Sequence, residues 1–386
     1  MAYSHLTPLD FASLGFSDPT QIPIVVAMSG GVDSSVTAAL LHEAGFKVIG
    51  ITLQLYDYGM SVGKKGACCA GQDIYDAAHV AEKLGFPHYV LDYESVFKSS
   101  VIDDFAESYL RGETPLPCVR CNQRVKFQDL FKVAKDLGGA ALATGHYVER
   151  RIGPEGPELH RAQNSKKDQS YFLFTTTKEQ LAYLRFPVGH LSKEETREHA
   201  QRLGLSVAEK PDSQDICFVP NGNYASVIEK LRPGALESGD IVHESGHVLG
   251  HHSGIINFTI GQRKGLNLSN NPNQGEALYV LRLDPEKKHV IVGPLSSLAH
   301  QNLSLKECNW LTTLSSAFPV ECHVKVRSSQ EPLKGRLESF SLDKASVTLN
   351  VPEYGVSPGQ ACVLYRGSQV LGGGWIQRSL SEETSA

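Results

Sequence analysis

The chain has 386 residues, a formal net charge of −5, and 41% hydrophobic, 8% aromatic and 20% charged residues. This composition excludes a disordered or collagen-like chain and supplies apolar material for more than one core, so two or three domains are expected. No apolar run is long enough to span a membrane, and the first 21 residues lack a basic start and an apolar stretch, which points to the cytoplasm.

From Ile22 to Tyr147 strand-like and helix-like patterns alternate. "IPIVVAM" is a short continuous apolar run, as expected of a strand buried on both faces. Val36, Ala39 and Leu40 then recur at helical spacing, and Gly45 stops that helix. "VIGITLQLY" (48–56), "HYVLDY" (88–93) and "ALATGHY" (141–147) read as further strands. Residues 73–85, 95–110 and 123–137 read as helices. Such alternation predicts a parallel sheet covered by helices. Residues 150–220 are mixed, with a helix over 193–204. From about 240 the helical pattern disappears. "ALYVLRLDPEKKHVIVG" (277–293) reads as two strands around a turn, and strand-like runs continue over 322–327, 333–341, 345–351, 360–366 and 369–376, which predicts a small all-β barrel.

Ser29, Gly30 and Gly31 link the first strand to the first helix. Glycines let backbone approach a ligand, and the helix start offers unpaired N–H groups and a partial positive charge, so the turn suits an anion. Asp33 and Ser34 stand where the helix begins, and Asp33 is placed either to cap it or to help position a metal with the phosphates. The turn is neither GxxxxGK[ST] nor GxGxxG, and the lysine that reaches β/γ-phosphates is missing. The full "SGGVDSS" after a buried strand resembles the pyrophosphate loop of the N-type ATP pyrophosphatases, whose N-terminal domain is adenine nucleotide alpha hydrolase-like. That resemblance implies cleavage of ATP between the α and β phosphates, so no γ-phosphate-gripping lysine is required.

Eight cysteines in a cytoplasmic chain do not read as a disulfide framework. In "TPLPCVRCNQRVKF" (114–127), Cys121 is expected just before a helix and beside Arg120 and Arg124, features that lower a thiol pKa. A structural cysteine or half of a zinc site is the alternative, though a single CxxC is a poor zinc signature. Cys217 lies in the polar loop "KPDSQDICFVP" and, read alone, is a packing residue.

Taken in order, "AMSGGVDSSV", "LPCVRCNQRVKF", "LATGHY", "KDQSYFL", "DSQDICF", "TIGQRKGL", "SPGQACVLY" and "LGGGWI" resemble the bacterial tRNA 2-thiouridylase family over nearly the whole chain. The resemblance implies a PP-loop catalytic domain over 1–220, a central linking domain over 221–295 and a β-barrel that contacts tRNA over 296–386. It implies ATP-dependent thiolation at C2 of the wobble uridine of tRNA, by adenylation of the uracil O2 and sulfur transfer from a cysteine persulfide. ATP would be bound by Ala27, Met28, Ser29, Gly30, Gly31, Val32, Asp33, Ser34, Leu53 and Gly145, with Mg²⁺ screening its phosphates. His146, Lys167, Asp168, Gln169, Arg327, Ser328 and Gln360 would contact tRNA. Cys121 would be the nucleophile and Cys217 the persulfide carrier, the two forming a transient disulfide. A cysteine desulfurase or sulfur-carrier protein would supply the sulfur.

The chain departs from the family at Cys118, where many members carry Asp, so a general-base role is not carried over. The change also creates the CxxC and a second reading, in which Cys118, Cys121 and Cys217 hold a [4Fe–4S] cluster by three irons. Rival functions are an amidating or lysidine synthetase of the same loop class, which needs no paired cysteines, and a non-catalytic tRNA-binding module. A sequence pI near 6.3 is unusual for a nucleic-acid binder, so phosphate contacts fall to small clusters such as Arg150–Arg151 and Lys166–Lys167. The histidines of "HESGHVLGHH" (243–252) alternate with Gly and Ser and lack carboxylate partners, a poor metal signal.

Overall fold

The computed structural model describes residues 6, 9–20, 22–56, 69–212, 216–219, 222–266, 268, 277–314 and 318–378. Cys68 and residues 213–215 of the "DSQDICF" motif lie outside the described residues.

The first elements follow the predicted alternation: β1 (Pro23–Ala27), α1 (Val32–Glu43), β2 (Lys47–Gln54), α2 (Cys69–Leu84), β3 (His88–Asp92) and β4 (Ala141–Thr144). An antiparallel hairpin, β5 (Val148–Gly153) and β6 (Gly156–Arg161), comes next, then the short β7 (Leu184–Arg185) and α3 (Lys193–Arg202). The five parallel strands stand in the order β3-β2-β1-β4-β7. Ile24, Val25 and Val26 of β1 are each fully buried, each contributing about 1.5–3 kcal/mol by leaving water. Val36, Ala39 and Leu40 of α1 share one apolar cluster with Val188, Ala200 and Leu205. Because the strand order reverses at β1, the crevice beyond the carboxyl ends of β1 and β4 is the switch point where ligands of such sheets bind.

Two predicted helices are composite. Residues 94–110 pass through a π-helical stretch, Lys98–Ile102. The predicted 123–137 helix starts earlier, as Pro117–Arg120, continues as a π-helical stretch, Cys121–Asp129, and ends as Leu130–Asp136. Pro at the first helical position supplies a preset φ and lacks only an N–H that would be unpaired there.

The chain clusters into two compact units, one of Met1–Ser100, Val119–Gln214 and Ser368–Val370, the other of Val101–Cys118, Asp215–Gly367 and Leu371–Ala386. The second unit contains α4 (Tyr224–Leu231) and a four-stranded sheet of β8 (Gly239–His243), β9 (Val248–His252), β10 (Tyr279–Asp284) and β11 (His289–Gly293), ordered β10-β11-β8-β9. Six further strands form a closed antiparallel barrel: β12 (His300–Trp310), β13 (Val320–Lys325), β14 (Leu333–Phe340), β15 (Ala345–Glu353), β16 (Ala361–Arg366) and β17 (Gln369–Ile376). The pairing of β12 with β17 completes the ring. Closure leaves these strands no open edge, and Leu305, Val324, Leu337, Val347 and Leu364 fill the interior.

Candidate active site

The turn between β1 and α1 is organised by its own serines. Ser34 Oγ accepts from the Ser29 N–H at 3.1 Å and donates to the Gly31 carbonyl at 3.2 Å. Gly31 sits at the helix cap with no side-chain hydrogen bond, which leaves the first helical N–H groups for a ligand. Gly30 has φ +74°, and a Cβ there would come within 2.1 Å of the Asp73 carbonyl oxygen on α2. Gly145, just beyond β4, is also crowded, since a Cβ would lie 2.7 Å from the Asp33 carbonyl carbon and the Ser34 nitrogen. The backbones of the two loops therefore meet at the switch point. Met28 and Val32 are buried, Ala27 ends β1, and Leu53 lies half-buried at the same end of β2.

Around this turn is an ion-pair network that sequence reading did not find. Asp33 Oδ1 accepts from Tyr147 Oη at 2.7 Å and from Lys193 Nζ at 2.6 Å. Burial, then the Asp33 charge, raises the Tyr147 pKa, so the phenol keeps its proton and donates it. Lys193 Nζ also pairs with Asp212 Oδ1 at 2.7 Å, and Asp212 takes Lys167 at 3.0 Å and Arg197 at 3.1 Å. Burial alone would push the Asp212 pKa up; Lys193 and Lys167 hold it below the usual carboxylate value. On the other side, Lys210 Nζ donates to the Gly30 carbonyl at 3.0 Å and pairs with Asp73 and Asp76. Burial would lower the Lys210 pKa, but those carboxylates raise it. Lys193 and Lys210 thus stand beside a loop that carries no lysine of its own in sequence.

The predicted tRNA residues are mostly engaged within the protein. Asp168 accepts from Arg161 Nε, the Ala162 N–H and both the N–H and hydroxyl of Ser170, with its side chain fully buried. Gln169 Oε1 accepts from the Tyr147 N–H at 2.9 Å, so "KDQ" is stitched to "GHY". Lys167 is partly exposed beside Asp212. The His146 pKa is pushed down to about 3 by burial, then by Lys126, and the neutral ring pairs with Thr144 Oγ1 at 2.9 Å. In the second unit, Arg327 pairs with Glu353 at 2.6 Å, Ser328 lies in the turn after β13, and Gln360 donates to the Thr114 carbonyl at 3.0 Å.

Of the cysteines, Cys121 is buried, whereas Cys118 and Cys217 are exposed. The expectation that Cys121 stands at a helix N-terminus is corrected: helical structure begins four residues earlier, at Pro117, so the orphan N–H groups are not at Cys121. Instead Cys121 opens the π-helical stretch, a rare geometry frequent at functional sites. Among the described residues no three His, Cys, Asp or Glu side chains are grouped to hold a metal ion. In the barrel, burial pushes the thiols of Cys308 and Cys322 up to about 12 and that of Cys362 higher still.

Three family models match in succession: a tRNA methyl transferase HUP domain over 22–221, a tRNA methyl transferase PRC-barrel domain over 226–294 and an aminomethyltransferase beta-barrel domain over 300–376. A tRNA-specific 2-thiouridylase MnmA of Rhodospirillum centenum is 61% identical over 372 residues, 95% of each chain. That of Rickettsia felis is 61% identical over 361 residues, 93% of this chain and 98% of its own. The chain belongs to the tRNA-specific 2-thiouridylase family. Among solved structures, a 4-thiouridine synthetase–RNA complex with bound ATP aligns over 54% of this chain and 52% of its own at 15% identity and a TM-score of 0.35, too low to carry an argument. Among the described residues of this thiouridylase-family chain, no helix is long and apolar enough to cross a membrane.

Proposed function

We propose that this chain catalyses ATP-dependent 2-thiolation of the wobble uridine of tRNA. The observation that carries the reading is the phosphate cradle at the β1/β4 switch point, with Gly145 against Asp33 and Ser34, in a chain about 60% identical to proteins named 2-thiouridylases. The family models' descriptions mention methyl transfer. The relatives' names and the Cys121/Cys217 pair favour sulfur.

ATP binds with its phosphates on residues 27–34 and its adenosine toward Leu53 and Gly145. Mg²⁺ would accompany it and supply screening of the phosphate charge, with Asp33 placed to help hold it. The flipped uracil presents O2 to the α-phosphorus, and pyrophosphate leaves. The terminal sulfur of a Cys217 persulfide attacks C2 and AMP departs. The Cys121 thiolate then attacks the Cys217 sulfur, forming a Cys121–Cys217 disulfide and leaving the new sulfur on C2. A thiol reductant resets the pair, and a desulfurase or carrier protein reloads it. We assign tRNA contact to His146, Lys167, Asp168 and Gln169 in the first unit, Asp168 by shaping the segment that presents Lys167, and to Arg327, Ser328 and Gln360 in the second. We assign the catalytic, linking and barrel domains to 1–220, 221–295 and 296–386, divisions that the three family matches support.

Mass analysis of bulk tRNA nucleosides from cells with and without the protein tests the reading. Loss of 2-thiouridine derivatives on deletion is expected, and an unchanged nucleoside profile refutes it.

A further inference from the structure

We propose that Lys193 is the phosphate lysine this loop lacks in sequence, its ammonium binding the β/γ portion of the nucleotide. The inference deepens the proposed ATP chemistry and rests on it.

Lys193 breaks two local rules at once. It is the first residue of α3, where a cation opposes the helix dipole, and it is 6% exposed, where an ammonium loses its hydration. Nothing about α3 itself requires it. The Ser192–Glu195 capping box satisfies the helix start, with Glu195 N–H to Ser192 Oγ at 3.1 Å and Ser192 N–H to Glu195 Oε2 at 2.7 Å. Residues that violate local preference under such constraint are expected at functional sites.

The placement tells which function. Lys193 Nζ lies 2.6 Å from Asp33 Oδ1, on the second residue of the helix that follows Gly30 and Gly31. Tyr147 fixes the same carboxylate oxygen, and Asp212 holds the ammonium from a second direction at 2.7 Å. A cation is thereby fixed beside the unpaired N–H groups of α1, where the pyrophosphate portion would lie. In adenylation the uracil O2–Pα bond forms and the bond from Pα to the bridging oxygen breaks. Its electron pair leaves with pyrophosphate, and the uracil N3 proton goes to solvent. The charge gathered on the leaving group is what Lys193 balances.

Calorimetric titration of the full chain with ATP, AMP and inorganic pyrophosphate tests this. In K193M, affinity for ATP and pyrophosphate falls roughly 10- to 100-fold, the worth of one charged hydrogen bond, while AMP affinity changes less than about twofold. Equal losses for all three ligands would make Lys193 a purely structural strut and overturn the inference, as would unchanged pyrophosphate binding. If K193M fails to fold because Asp212 is left against an apolar side chain, the K193M/D212N double variant is read by the same two criteria. A wild-type chain that binds neither ATP nor pyrophosphate takes down the proposed activity itself. A wild type that binds both, with a K193M that binds both equally, takes down only Lys193.

Discussion

Substituting Gly30 by alanine asks whether the phosphate cradle depends on a close approach of backbone to backbone. At φ +74° any L side chain pays about 1–2 kcal/mol for the left-handed conformation. The new Cβ would also stand 2.1 Å from the Asp73 carbonyl oxygen and 2.7 Å from its Cα, more than about 1 Å inside van der Waals contact. Both neighbours are backbone, so no side chain can swing away, and overpacking adds about 1–3 kcal/mol. Gly138 is the control, with φ +73° and nothing within 4 Å, so Gly138→Ala carries only the conformational cost. Gly30→Ala is therefore expected to lose about 2–5 kcal/mol against about 1–2 for Gly138→Ala. Relief by moving the turn about 1 Å should also slow pyrophosphate release roughly 100-fold. Chemical unfolding gives the first comparison, and tRNA-dependent pyrophosphate release gives the second. A Gly30→Ala protein that matches Gly138→Ala in both would refute the idea that the turn is held by contact with α2.

Further expectations concern single side chains. Asp33→Ala should reduce pyrophosphate release more than about tenfold, roughly 1.4 kcal/mol of barrier, and smaller loss rules out an essential role. Lys167→Ala should weaken tRNA binding but not ATP binding. Wild-type tRNA affinity should fall between low and moderate salt, and a flat salt dependence would mean that phosphate contacts do not dominate binding. Cys118→Ala should leave thiolation within a fewfold of wild type, whereas abolition would restore the iron–sulfur reading. His146 has a folded pKa depressed to about 3 by burial, below its unfolded value near 6.5. The unfolded chain thus binds more protons between those values, and the neutral ring's contribution to stability is lost as pH falls through that window. His88, His190 and His199 are also lowered by burial and act in the same direction. Unfolding midpoints that do not decline from about pH 6.5 toward about pH 4 would contradict it.

What was legible depended on how local the cause was. β1 could be read because "IPIVVAM" is a buried, β-branched run, and the β10–β11 pair because a Pro-Glu-Lys-Lys turn separates two apolar stretches. The β5–β6 hairpin was missed because β5 carries the half-buried Glu149 and Arg150 and the exposed Arg151, which read as surface charge rather than alternation. β12 was missed as well, its pattern interrupted by irregular pairing near Lys306 and Asn309. The Pro117 helix start was obscured because proline normally reads as a break. The strand-to-helix turn at Gly30 and Gly31 was legible from one short motif, "SGGVDSS". Lys193, by contrast, meets Asp33 across 160 residues, and Lys210 meets Gly30 across 180; no local pattern announces such partners.

The central claim is that ATP cleavage and sulfur transfer are separate steps of one enzyme, divided between the phosphate turn and Cys217. The direct measurement follows pyrophosphate and 2-thiouridine together, with purified protein, tRNA, ATP and a persulfide donor. Wild-type protein should form the two in equal amounts, and Cys217→Ser should release pyrophosphate while forming no 2-thiouridine. A Cys217→Ser protein that still thiolates tRNA, or a wild type that thiolates without releasing pyrophosphate, would contradict the account.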